Sequence, residues 1–131
     1  MALVNLQLFL AGATCLTLAL GHALTGRAVL TALPRTLPST RFGDGAYTRG
    51  LLRFTWHALT LMLTVTGAVL IAVALGNPQD ARGDIAFLIG SAYAAALVVL
   101  LWMTRRRPSD LLRIPVWAGF VVISVLCWLN V

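Results

Sequence analysis

The strongest constraint on this chain is where its charges are missing. Four runs carry no formal charge: Met1 to Gly26, Phe54 to Gln79, Ile85 to Thr104 and Ile114 to Val131, of 26, 26, 20 and 18 residues. A helix rises about 1.5 Å per residue, so about 20 residues cross a hydrocarbon core of about 30 Å. Each run meets that length, the last only just. Strands are a poor alternative because Ala94 to Leu101 is apolar on every face, whereas a barrel strand alternates. Composition agrees, with 11% charged residues and a mean hydropathy of +0.90, where a soluble domain carries roughly a quarter charged residues. The expected fold is all-α: an integral membrane antiparallel four-helix bundle forming one domain over 1–131, with helices at 3–32, 47–76, 84–105 and 113–130.

Orientation follows from the arginines. The chain has ten Arg and no Lys, and the first connection holds Arg27, Arg35, Arg41, Arg49 and Arg53. The third holds Arg105, Arg106, Arg107 and Arg113, while the second holds only Arg82, beside Asp80 and Asp84. Connections one and three share a side in a four-span chain, so nine arginines oppose one. Short basic loops stay cytoplasmic, which puts both termini outside. Arginine without lysine, alongside abundant Ala, Leu and Val, points to a GC-rich bacterial genome, and so to a bacterial inner membrane. The first run lacks the basic start and small-residue cleavage site of a secretion signal, so it reads as a retained helix.

Local signals place the helix ends. Leu33-Pro34 and Leu37-Pro38 end helix one, since a residue preceding proline is pushed off the helical region. Gly43-Asp44-Gly45 reads as a turn and Asn77-Pro78 as the end of helix two. Asp84 is expected to cap helix three, Ser109 and Asp110 to cap a short interfacial turn, and Pro115 to sit in the first turn of helix four. Trp56, Trp102 and Trp117 fall near cytoplasmic helix ends and Trp128 near an outer one, as an aromatic belt requires. Short connections favour antiparallel neighbours in chain order.

Intramembrane polar groups need partners, and the two histidines are the most informative. His22 lies five residues before Arg27 and His57 four after Arg53, so both sit at one depth inside the same boundary. On helix one, Ala11, Cys15, Ala19 and Gly26 share a side with His22; on helix two, Thr60, Thr64, Ala68 and Ala72 share a side with His57. Small residues four apart let helices approach closely in lipid, and Ala86, Gly90 and Ala94 offer a similar strip on helix three. These faces are expected to form the interior. Two facing imidazoles suit the axial positions of a haem b iron, with Arg27 and Arg53 (and Arg49 nearby) placed to neutralise its propionates. A structural hydrogen bond or a proton relay is the competing reading of the same pair. No third ligand lies at that depth, so a tetrahedral zinc site is not completed. Cys15 and Cys127 read as buried apolar fillers at different depths, too far apart for a disulfide.

Much chemistry is excluded. The apolar runs contain no Asp or Glu, and the chain holds neither a G-x-S-x-G elbow nor a phosphate-cradling loop. The arginines are held against the membrane surface, so nucleic acid is not an expected partner; lipid headgroups are. Thr14, Thr17, Thr60, Thr64 and Ser91 supply only a thin polar path for a channel or carrier. Gly21-His22 with Gly26-Arg27, followed by Leu52-Arg53-Phe54-Thr55-Trp56-His57, resembles a group of small four-helix bacterial membrane proteins without an assigned activity. Their first helix ends in a G-H…G-R step and their second starts with an R-F-x-W-H step. The resemblance covers residues 18 to 60 and implies four helices and a role for His22 and His57. The expected function is an accessory subunit without a catalytic site, packing as a homo-oligomer or in a larger membrane complex. The alternative is a bis-histidine haem b protein for electron transfer or haem handling.

Overall fold

A computed structural model of the chain describes residues 4–34, 36–41, 43–76, 79–106, 109 and 116–131. The described residues form four helices: α1 (Leu6–Ala32), α2 (Gly45–Leu75), α3 (Gln79–Thr104) and α4 (Val116–Trp128). The fold is all-α, as the uncharged runs require. The segments Leu6–Ala32, Gly45–Leu75 and Ala81–Thr104 are long and apolar enough to cross a membrane. Within the described residues the fourth run is helical over Val116–Trp128, 13 residues, and the start expected at 113 lies outside them. Residues 113–115, Pro115 among them, lie outside the described residues, as do Asn77, Pro78 and Asp110.

Two caps fix the starts of the first two helices. Asn5 caps α1, its Oδ1 accepting from Leu8 N at 3.0 Å, and Asp44 caps α2 by accepting from Tyr47 N at 2.9 Å. A capping oxygen satisfies one of the donors that a helix start leaves open. Asp84 has no such role. Helix three starts at Gln79, so Asp84 lies inside it and the expected cap is not formed. The same Asn5 also ties three elements together: its N–H donates to Ala74 O at 3.0 Å and its Nδ2 donates to Asn130 Oδ1 at 2.5 Å. The start of α1 and the ends of α2 and α4 therefore meet at one end of the molecule.

Packing departs from chain order. α1 packs along both α2 and α4, and α3 packs along α4, whereas α2 and α3 scarcely touch. Between those two lies an apolar cleft of about 190 Å³, lined by Met62 and Thr66 of α2, Ala92 and Tyr93 of α3, and Phe120 of α4. The core comprises Leu8, Ala11 and Cys15 of α1 with Leu70 and Ala74 of α2, Ala86 of α3, and Ile123 and Cys127 of α4. Both cysteines are free and belong to this one cluster, where Cys15 Sγ donates to Tyr93 Oη at 3.6 Å.

The interior face of α1 is the expected one, since Ala11, Cys15, Ala19 and Gly26 are all buried. That of α2 is not. Thr64, Ala68 and Ala72 are exposed, and the buried face is Leu63, Gly67, Leu70, Val73 and Ala74. The rotation is set where Gly12 meets Gly67: a Cβ built on Gly12 would lie 2.8 Å from Gly67 O, and one on Gly67 2.9 Å from Gly12 O. Contact this close needs glycine on both sides. On α3 the small strip holds in part, with Ala86 and Gly90 buried and Ala94 half-buried.

The threonine hydroxyls explain why their face can turn outward. Thr14, Thr17, Thr25, Thr60, Thr64 and Thr104 each donate to the carbonyl four residues back, at 2.8–3.1 Å. A hydroxyl satisfied by its own helix needs no interior partner.

Candidate functional site

The end of the α1–α2 pair opposite Asn5 carries the polar side chains. Its connection is braced: Arg49 Nη2 donates to Pro34 O, Thr48 Oγ1 to Pro38 O at 3.5 Å, and Thr40 and Gly43 exchange backbone hydrogen bonds of 2.8 and 3.2 Å. Above it, Trp56 fastens α2 to α1. Its Nε1–H donates to His22 O at 3.0 Å, and its indole lies on the His22 ring with centroids 4.1 Å apart and planes 15° from parallel. Gly26 makes the contact fit, because a Cβ there would sit 2.7 Å from Trp56 Cδ1.

His22 is half-buried and its Nδ1 lies 2.9 Å from Thr60 Oγ1. When the Thr60 proton goes to Trp56 O, 3.1 Å away, His22 donates from Nδ1 and its Nε2 is left as an acceptor. Its cross-helix partners are thus Trp56 and Thr60, not His57.

The two imidazoles do not face each other. His57 is exposed and lines a groove of about 290 Å³ on the flank of the helix pair, to whose lining His22 does not belong. Axial ligation of one haem iron needs two ring nitrogens aimed into one gap, and Trp56 holds the place beside His22 that such an arrangement would give to His57. His22 stacks on Trp56, the chain neighbour of His57, so the two histidines share one level of the helix pair; the rotation is not the expected one. One residue along a helix turns a side chain by about 100°, so setting Trp56 inward sets His57 outward.

What the groove does bring together is Arg27, Arg53 and His57, with Thr31 and Trp56. Arg27 and Thr31 are one turn apart on α1, as are Arg53 and His57 on α2, so each pair projects on one helix face. Small Ala23 and Gly26 leave the space between them. Thr31 Oγ1 donates to Arg27 O at 2.8 Å, so its proton is already engaged. No hydrogen bond or ion pair engages the side chains of Arg27, Arg53 or His57 among the described residues. Nor do three or more His, Cys, Asp or Glu side chains gather as a metal site among them. The groove is a small cationic recess.

No family model, curated protein or solved structure matches the chain. What the site can do follows from its own geometry. The sequence puts Gly26 on the inner face of α1 and Trp56 in the aromatic belt, but not the contact between them, in which the absent Cβ of Gly26 admits the indole as a joint between the helices.

Proposed function

We propose that this chain is an integral membrane protein of the bacterial inner membrane: an antiparallel four-helix bundle with both termini outside and its arginine-rich end in the cytoplasm. It serves as a non-catalytic packing subunit of a homo-oligomer or larger membrane complex. One observation carries the reading most directly, the uneven cover on α3. That helix packs along α4 and scarcely meets α2, and it leaves Phe87, Leu88, Val98, Val99, Trp102 and Met103 exposed. Side chains of this size exposed over a whole helix require lipid or a second apolar surface around them. The small residues Ala86 and Gly90 of the same helix are instead buried, against the chain's own helices.

A photo-crosslinker placed at Val98 in native membranes tests the subunit role. The expected result is a protein adduct, at twice the chain mass for a homo-oligomer or at a larger mass for a mixed complex. A chain that forms lipid adducts alone and runs as a lone monomer after mild extraction contradicts that role.

A further inference from the structure

The groove beside Trp56 has a charge imbalance that no side chain among the described residues corrects. Five arginines lie between residues 27 and 53 against one carboxylate, Asp44, whose Oδ1 already accepts from Tyr47 N at 2.9 Å. Asp84 belongs to the start of α3, where Gly83 approaches Asn130 at the opposite end of the molecule. Two of the five arginines, Arg27 and Arg53, approach the groove from different helices with no partner among the described residues. Both side chains are exposed, so their guanidinium groups stay open to an anion that arrives from outside and engages both at once.

We propose that this groove is a binding site for a phosphate oxyanion, held by the Arg27 and Arg53 guanidinium groups with His57 alongside. The donor set favours phosphate over carboxylate. A carboxylate offers two oxygens in one plane and satisfies one arginine fork, whereas a phosphate offers a tetrahedral set that two forks from two helices engage together. Trp56 Nε1 and Thr31 Oγ1 donate to main-chain carbonyls, so they fix the walls and leave recognition to the cations. About 290 Å³ holds a phosphate and the first carbons of its ester. Two sources share this chemistry, the headgroup of an anionic phospholipid and free phosphate. Only the first depends on the membrane reading given above.

Native mass spectrometry of the full chain in a non-ionic maltoside, offered equimolar phosphatidylglycerol and phosphatidylcholine, tests the lipid source. Phosphorus NMR line broadening of inorganic phosphate, without lipid, tests the soluble one. The expected result is retention of one phosphatidylglycerol, reduced about tenfold by Arg27→Gln with Arg53→Gln, and unchanged by Arg105→Gln with Arg106→Gln, which removes the same charge elsewhere. Broadening of inorganic phosphate that the first pair abolishes, with no lipid retained, upholds the site and makes its source soluble. Retention in neither arm overturns the proposal, and so does an equal loss in both double variants, which would reduce the effect to net charge. Should the first double variant lose its helical circular dichroism, Arg53→Lys keeps the charge and removes the fork; unchanged retention there also overturns the site. The phosphate arm contains no bilayer, so its outcome is independent of whether the chain spans one.

Discussion

Gly67→Leu is expected to cost about 3 kcal/mol or more of stability, the upper part of the range for forcing a side chain into a filled contact. The reason is the identity of the atoms it would strike. A Cβ on Gly67 meets Gly12 O at 2.9 Å and Leu16 Cδ2 at 2.9 Å. Leu16 can rotate, but the Gly12 carbonyl is fixed in its helix and yields only if α1 and α2 separate. Gly12→Leu meets the reciprocal obstacle at Gly67 O, 2.8 Å away, with Ile71 Cγ1 at 2.7 Å. Reversible unfolding of the detergent-solubilised chain measures both losses. Because the two substitutions spoil one contact, their double variant should lose much less than the sum of the singles. Additive losses would show that the glycines do not form a common crossing.

The second large effect is expected at Gly26. Gly26→Leu evicts Trp56, since even a methyl carbon there lies 2.7 Å from Cδ1 and 2.8 Å from Cε2. The eviction removes the Nε1–H bond to His22 O and the stack on the His22 ring together, at a cost of about 2–3 kcal/mol. Nuclear magnetic resonance reads it locally, because loss of the indole moves the His22 ring protons out of its ring current. Gly50→Ala is the internal control. Nothing lies within 4 Å of a Cβ at Gly50, so that change is expected to stabilise α2 by about 0.5–1 kcal/mol. Opposite signs for Gly26 of α1 and Gly50 of α2, at the same end of the helix pair, are a result that general glycine intolerance does not give.

These two contacts also mark how far the sequence could be read. Four helices, the basic end and the inner face of α1 were legible because charge gaps, arginine positions and the spacing of Ala11, Cys15, Ala19 and Gly26 are properties of one strand of sequence each. The depth of His22 and His57 was legible for the same reason, as distance from Arg27 and Arg53 counts along a helix. Rotation about the helix axis was not. It depends on which residue of α2 meets Gly12, and Gly67 competes there with an Ala and Thr ladder that looks equally fit to pack. The ladder loses because its hydroxyls are satisfied by their own helix while Leu63 and Leu70 gain more from burial. Choosing Gly67 turns Trp56 inward and His57 outward, which removes the paired imidazoles and assembles the Arg27–Arg53 groove in their place. The order of packing was hidden too, since nothing in the short link between α2 and α3 reveals that those helices stand apart.

The central claim, that the arginine-rich end lies on the cytoplasmic side of a membrane, is tested most directly by labelling cysteines in intact cells with a membrane-impermeant maleimide. Cys15 and Cys127 are both buried and need not be removed. Exposed Ser39, in the α1–α2 connection, and exposed Leu129, just beyond α4, are each changed to cysteine. The account predicts labelling of Leu129→Cys in intact cells and of Ser39→Cys only after the membrane is permeabilised. Labelling of Ser39→Cys in intact cells, with Leu129→Cys protected, would contradict it.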